Sequence, residues 1–157
     1  TAIRHDITPQ KDLEKLNFEH KKLIDTYSKH TIASKTDLNG DITYVSDAFC
    51  DISGYTRKEL MGKAHNIVRH PDVSKEFYQN LWKIIKAKKS FSGEVKNKKK
   101  NDQAYWVTVD ISADFDQAGK HIGYSAIRTN ISKQKELEAL LSAKEKKTIP
   151  QKKKATK

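Results

Sequence analysis

At 157 residues, 36% apolar and 32% charged, the chain has room for one ordinary domain with a modest core and helical arms. Its single cysteine, Cys50, excludes an internal disulfide and a cysteine-based zinc site. Of the net charge of +11, six charges come from the stretch Lys144 to Lys157, where seven lysines stand against Glu145. More than half of the excess is therefore a lysine tail that binds polyanions weakly, the rest is spread along the chain, partly as Lys96, Lys98, Lys99 and Lys100, and neither an arginine-rich recognition helix nor zinc-finger spacing makes nucleic-acid binding specific.

Residues 1–8 carry little pattern. From Pro9 to about His30 the chain reads as an amphipathic helix, with Thr8 as its cap and Pro9 at its first position. Its stripe is Leu13, Leu16, Leu23, Ile24 and Tyr27, a face that needs a domain or a partner helix to cover it. Thr31 to Asp37 reads as a short strand, Asn39-Gly40 as a hairpin turn, and Ile42 to Ser46 as the returning strand.

Short helices follow from Asp47 to about Met61, broken at Gly54-Tyr55 and restarted by a capping box of Thr56 with Glu59. Lys63 to Val73 is irregular, with Pro71 as a breaker. Ser74 caps a longer helix to about Lys88, striped by Phe77, Leu81, Trp82, Ile84 and Ile85. Three strands at hairpin spacing come next: Phe91 to Lys98, Ala104 to Asp114 and His121 to Ile131. In the middle strand Tyr105, Val107, Val109 and Ile111 alternate with Trp106, Thr108, Asp110 and Ser112. Ser132 begins a charged helix that fades near Ile149-Pro150 into a tail too polar to order.

This order predicts an α+β fold: a five-stranded antiparallel sheet with helices on one face, plus flanking helices at both ends. The corresponding division is an N-terminal helical cap over residues 1–30, a central domain over 31–132, a C-terminal helix over 133–147 and a lysine-rich tail over 148–157. No stretch approaches the roughly 18 apolar residues of a membrane span, and the start lacks a signal-peptide core. The expected location is cytoplasmic, free or attached to a membrane-bound parent.

The element order, with T-D-L-N-G-D-I-T-Y-V-S-D-A-F (36–49), I-S-G-Y-T-R-K-E-L-M-G-K (52–63) and N-I-S (130–132), resembles the PAS fold over about residues 31–132. A narrower set of segments is similar to the aerotaxis-receptor subgroup: H-N-I-V-R-H-P-D (65–72), W-K (82–83), F-S-G-E-V-K-N-K-K-K-N (91–101), Y-W-V (105–107) and G-Y-S-A-I-R-T (123–129). That resemblance implies a sensor that binds FAD, reports oxygen or redox state, and feeds a chemoreceptor, histidine kinase or cyclase output. It also matches Arg69, His70 and Asp72 to the segment that retains the flavin, and Asn97 to a polar position lining the pocket. Ser46 stands where the subgroup often has Asn, and Phe91 where it often has Trp.

A flavin site needs apolar walls, amides for the polar edge of the ring, and a cation for phosphates. Phe49, Trp82, Phe91 and Trp106 are the candidate walls, although Trp82 also fits a core stripe and Trp106 faces away from Tyr105. Asn66 and Asn97 can both donate and accept, Arg69 can fork onto phosphate oxygens, and Asp72 can hold Arg69 or His70. Arg128 reads as outward-facing, with a reach to the pocket mouth left open. Alternatives are a haem held by His65, His70 or His121, and a cofactor-free interaction module. A light-driven cysteinyl adduct is disfavoured, because His65 falls where the related photosensory group has its cysteine. No nucleophile–base pair or carboxylate pair marks an enzyme. The stripes of both flanking helices predict a homodimer.

Overall fold

The computed structural model describes residues 7–148. Helix α1 (Thr8–His30) leads into strands β1 (Ile32–Thr36) and β2 (Ile42–Val45), then short helices α2 (Asp47–Ser53) and α3 (Arg57–Leu60). A 3₁₀ turn at His65–Val68 precedes α4 (Lys75–Lys86), strands β3 (Phe91–Lys98), β4 (Ala104–Phe115) and β5 (His121–Asn130), and helix α5 (Ser132–Thr148). The five strands form one sheet in the order β2-β1-β5-β4-β3, every neighbouring pair antiparallel. The architecture read from the sequence is the one observed, and the tail beyond Thr148 lies outside the described residues.

Local chemistry explains most element ends. Ser46 and Ser74 cap α2 and α4 by accepting the amides of Phe49 and Phe77. Thr56 and Glu59 close the capping box at α3. In the first hairpin Asp37 accepts the amides of Asn39 and Asp41, and Gly40 takes a φ of +89°, which an L side chain rarely adopts. The start of α1 differs from expectation: Ile7 is in the cap position without a side-chain hydrogen bond, and Thr8 is the first helical residue.

One face of the sheet is covered by α2, α3 and α4, and its core is divided. Leu81 and Ile85 of α4 pack on Phe91, Val95, Tyr105, Val107, Val109, Tyr124 and Ala126. A second cluster joins Ile42, Val45, Phe49, Leu60 and Val68. Neither flanking helix contributes a buried residue: Leu13, Leu16, Leu23 and Ile24 of α1 and Leu137, Leu140 and Leu141 of α5 are all exposed.

Close strand approach constrains the sheet centre. A Cβ on Gly123 would lie 2.0 Å from the carbonyl oxygen of Thr36, which is backbone and cannot swing aside. Gly123→Ala should therefore cost about 3 kcal/mol in urea unfolding by forcing β1 and β5 apart. A change below about 1 kcal/mol would show that the strand ends move freely.

Candidate functional site

Between the two apolar clusters lies a cavity of about 500 Å³, within the usual range for small-molecule sites. Its walls are Val68 from one cluster and Leu81, Ile85, Val95, Val109 and Ala126 from the other, with Trp82 and Ile111 beside them. Trp82 packs edge-on against Tyr124 and passes close to Gly40, so the first hairpin and α4 meet at this wall.

The floor is polar. Arg128 is only 8% exposed and donates to Ser34 Oγ at 2.9 Å, with its other terminal nitrogen 2.9 Å from His65 Nε2. Ser34 Oγ is also 3.2 Å from His65 Nε2. Phe49 backs the cluster, edge-on to His65 at 5.7 Å and with its ring centroid 5.2 Å from the Arg128 guanidinium carbon. Burial, and then the charge of Arg128, push the His65 pKa down to about 3. A neutral His65 accepts from Arg128 through Nε2 and carries its proton on Nδ1. Burial brings Arg128 down to about 10, leaving it charged at neutral pH. The alternation of β5 puts Arg128 on the inner face with Tyr124 and Ala126, which corrects the outward reading.

Asn97 lies on β3, 4% exposed, and lines the cavity opposite the floor cluster's strand pair. Its cross-strand partner is Tyr105, whose hydroxyl is buried without a well-formed hydrogen bond among the described residues. Burial pushes the Tyr105 hydroxyl up to about 12, so it stays protonated. Arg69 bridges by backbone to Asn97, and its guanidinium lies 3.5 Å from the Tyr78 ring centroid. Outside the mouth, a groove along α4 continues from Arg69, Tyr78, Trp82 and Lys86 to Lys75 and Lys83. Among the described residues, no carboxylate lines this groove.

Of the candidate residues, Asn66, Arg69, Trp82 and Asn97 line the cavity. Phe49 stands behind its floor. Ser46 is committed to backbone, accepting the amides of Ala33 and Phe49. His70 accepts the Asp72 amide and lies 3.6 Å from the Asp72 carboxylate, which pairs more closely with Lys96, at 2.7 Å, and not with Arg69. Phe91 packs edge-on to Phe77 within the core. Trp106 lies on the other face of the sheet, 5.3 Å from Lys135 Nζ of α5, and does not reach the cavity. The sequence reading missed Ser34, Tyr78 and Tyr124 as lining residues. A two-residue period through β5 was the available signal for Tyr124 and Arg128.

The model of the PAS fold family matches residues 42–128. The chain belongs to the PAS family. It is 43% identical over 99 residues to the aerotaxis receptor of Escherichia coli K12, which covers 63% of this chain and 19% of the receptor. It is 28% identical to a nitrogen fixation regulatory protein of Klebsiella pneumoniae, over 63% of the chain and 20% of that protein. The chain thus spans about a fifth of the length of these curated relatives. Among solved structures, a PAS domain from Colwellia psychrerythraea superposes with a TM-score of 0.65 at 17% identity, over 75% of this chain and 98% of that one. A light-oxygen-voltage domain described with a flavin analogue gives 0.64 at 19% identity, over 81% and 96%. This PAS domain is thus of the kind that sensory signalling proteins carry. No described helix is long and apolar enough to cross a membrane.

The depressed His65 pKa has a defined sign. The unfolded chain takes up a proton near pH 6.5 that the folded chain refuses until about pH 3, so stability falls as pH drops through that window. Glu59, held down to about 2 chiefly by Lys100, loses stability only below its ordinary value of 4.5. Between pH 6 and 5 the loss should therefore be His65's, about 1 kcal/mol per pH unit. Urea midpoints for the wild type and His65→Gln check this, since the variant should lack the slope.

Proposed function

We propose that this chain is a flavin-binding sensory domain, with FAD as ligand, reporting redox or oxygen state to an output domain of a longer signalling protein. The observation that carries it is the cavity itself: apolar walls for a flat ring, polar groups at the ends, and a cationic groove at the mouth. The likeness to an aerotaxis receptor and to a flavin-analogue structure supports the same reading. Val68, Leu81, Ile85, Val95 and Trp82 would hold the ring, with Asn97, Asn66 and Arg128 available to its polar edge. Arg69, Lys83 and Lys86 would hold the two phosphates that distinguish FAD from a mononucleotide.

The flavin, when bound, supplies an acceptor of electrons whose edge changes from hydrogen-bond acceptor to donor on reduction. Asn97, being both donor and acceptor, would answer by turning its amide, with the buried Tyr105 hydroxyl, which has no well-formed hydrogen bond among the described residues, beside it. From Tyr105 the route to α5 is one residue long. The Trp106 amide donates to Ser132 Oγ, and its carbonyl accepts the Ile131 amide. Lys135 ties the first turn of α5 to Glu94 on β3 at 2.5 Å. The ligand biases this junction only through differential contact with two states of Asn97. Residues 31–132 would then be the sensor, 133–147 the output helix, and the exposed leucines of α1 and α5 the seam of a homodimer.

Haem fits this site less well. His65 Nε2 already faces Ser34 and a guanidinium 2.9 Å away, which opposes coordination to iron. His70 and His121 engage local backbone groups.

The purified chain incubated with FAD should show bands near about 370 and 450 nm that bleach with dithionite. A protein that stays colourless would end the flavin reading and leave an interaction module. Lys83→Glu with Lys86→Glu should weaken FAD about tenfold while sparing riboflavin, which has no phosphates. Equal losses for both ligands would remove the groove from the site. Hydrogen exchange over residues 120–140 should differ between oxidised and reduced protein, and identical maps would sink the Asn97 route.

A further inference from the structure

We infer that Arg128 is a charge-selective subsite at the closed end of the cavity, built to receive the electron-rich edge of the ligand and to favour its more negative form. The inference rests on the flavin reading for the identity of that ligand.

Arg128 is a buried cation with no carboxylate within ion-pair distance among the described residues. Its hydrogen-bonding partners, Ser34 Oγ and His65 Nε2, are neutral, and the ring behind it belongs to Phe49. A buried charge without a counter-charge is costly, and an apolar residue of similar volume usually packs at least as well. The cation–π contact with Phe49 and the two hydrogen bonds to neutral partners offset only part of that cost. Without Arg128, Ser34 Oγ and His65 Nε2 already stand 3.2 Å apart and satisfy one another.

What the charge does have is an opening. Arg128, Ser34 and His65 all line the cavity, and the walls above them are apolar. A guanidinium carries five N–H donors, and two partners do not exhaust them. His65 fixes the polarity of the floor, because its neutral ring gives its Nε2 lone pair to Arg128 and adds no second positive charge. A cation as buried as Arg128 acts at much more than its strength in water. It therefore selects an edge that is carbonyl-like or anionic.

For a flavin this has a redox consequence. A bound flavin reduced by dithionite or by a hydride donor would take up two electrons and one proton, the proton at its central ring nitrogen, and Arg128 would face the negative charge left on the pyrimidine edge. A fixed cation against that edge binds the reduced anion more tightly than the neutral oxidised ring, which raises the midpoint potential.

The first test is a dithionite titration of FAD-loaded protein against a reference dye. Arg128→Gln keeps an amide for Ser34 and removes the charge; it should weaken the reduced form at least tenfold relative to the oxidised one. That ratio lowers the potential by about 30 mV for a two-electron couple. Arg128→Lys, which keeps the charge, should fall by less than half as much. A potential unchanged in Arg128→Gln, or lowered equally in Arg128→Lys, would overturn the inference.

The second test needs no ligand. Urea unfolding of the FAD-free chain should show Arg128→Met as stable as the wild type or more so, because a cation kept for a ligand is a burden to the empty fold. A clearly lower midpoint would make Arg128 a structural residue and overturn the subsite. If the wild type takes up no FAD, the flavin reading fails on its own, while this comparison still decides whether Arg128 serves a ligand.

Discussion

The inner face of the two strands at the middle of the sheet is narrow, and the rest of the structure follows from it. Ser34 on β1 sits directly across from Ala126 on β5, and Gly123 lets β5 run against the end of β1 where any side chain would strike backbone. Small residues there mean that α4 cannot be met from below by a continuous apolar layer. The core divides into one cluster under α4 and another around Phe49, and the space between them is the cavity. A chain with leucine at residues 34 and 126 would close this space and gain apolar burial. The fold thus keeps a pocket at the expense of packing density.

That gap also governs the polar groups. Ser34, His65 and Arg128 come from a strand, a 3₁₀ turn and another strand, and they converge because the sheet twist and the turn bring them under Phe49. The low polarity around them keeps His65 neutral and Tyr105 protonated, while Arg128 stays charged at neutral pH despite it. A site with settled protonation responds to its ligand by reorienting hydrogen bonds, not by trading protons with solvent. Asn97 suits that task, since its two ends are nearly isosteric and opposite in hydrogen-bonding sense. Its strand is hydrogen-bonded to β4, and β4 is bonded to the start of α5.

Much of this was legible in the chain. Turn and cap chemistry marked the hairpin at Asn39-Gly40 and the helix starts at Thr56 and Ser74, because those signals act over three or four residues. Of the site, Asn66, Arg69, Trp82 and Asn97 stood out as side chains whose chemistry suits a polar ring and phosphates, and all four border the cavity. Phe91, Ser46 and Trp106 had suitable chemistry too, but packing gives them a core neighbour, a helix cap and an outer-face position. Chemical type alone does not say which face of an element a residue occupies.

The sequence by itself determined the element order, the antiparallel sheet and the PAS resemblance, since hydrophobic period, turn residues and caps are local. Tertiary structure alone decided that Arg128, which the alternation of β5 turns inward, takes Ser34, 94 residues away, as its partner. It decided as well that Asp72 serves Lys96 rather than Arg69. These are contacts across strands and loops, set by sheet register and chain closure, and no short window of sequence contains both partners.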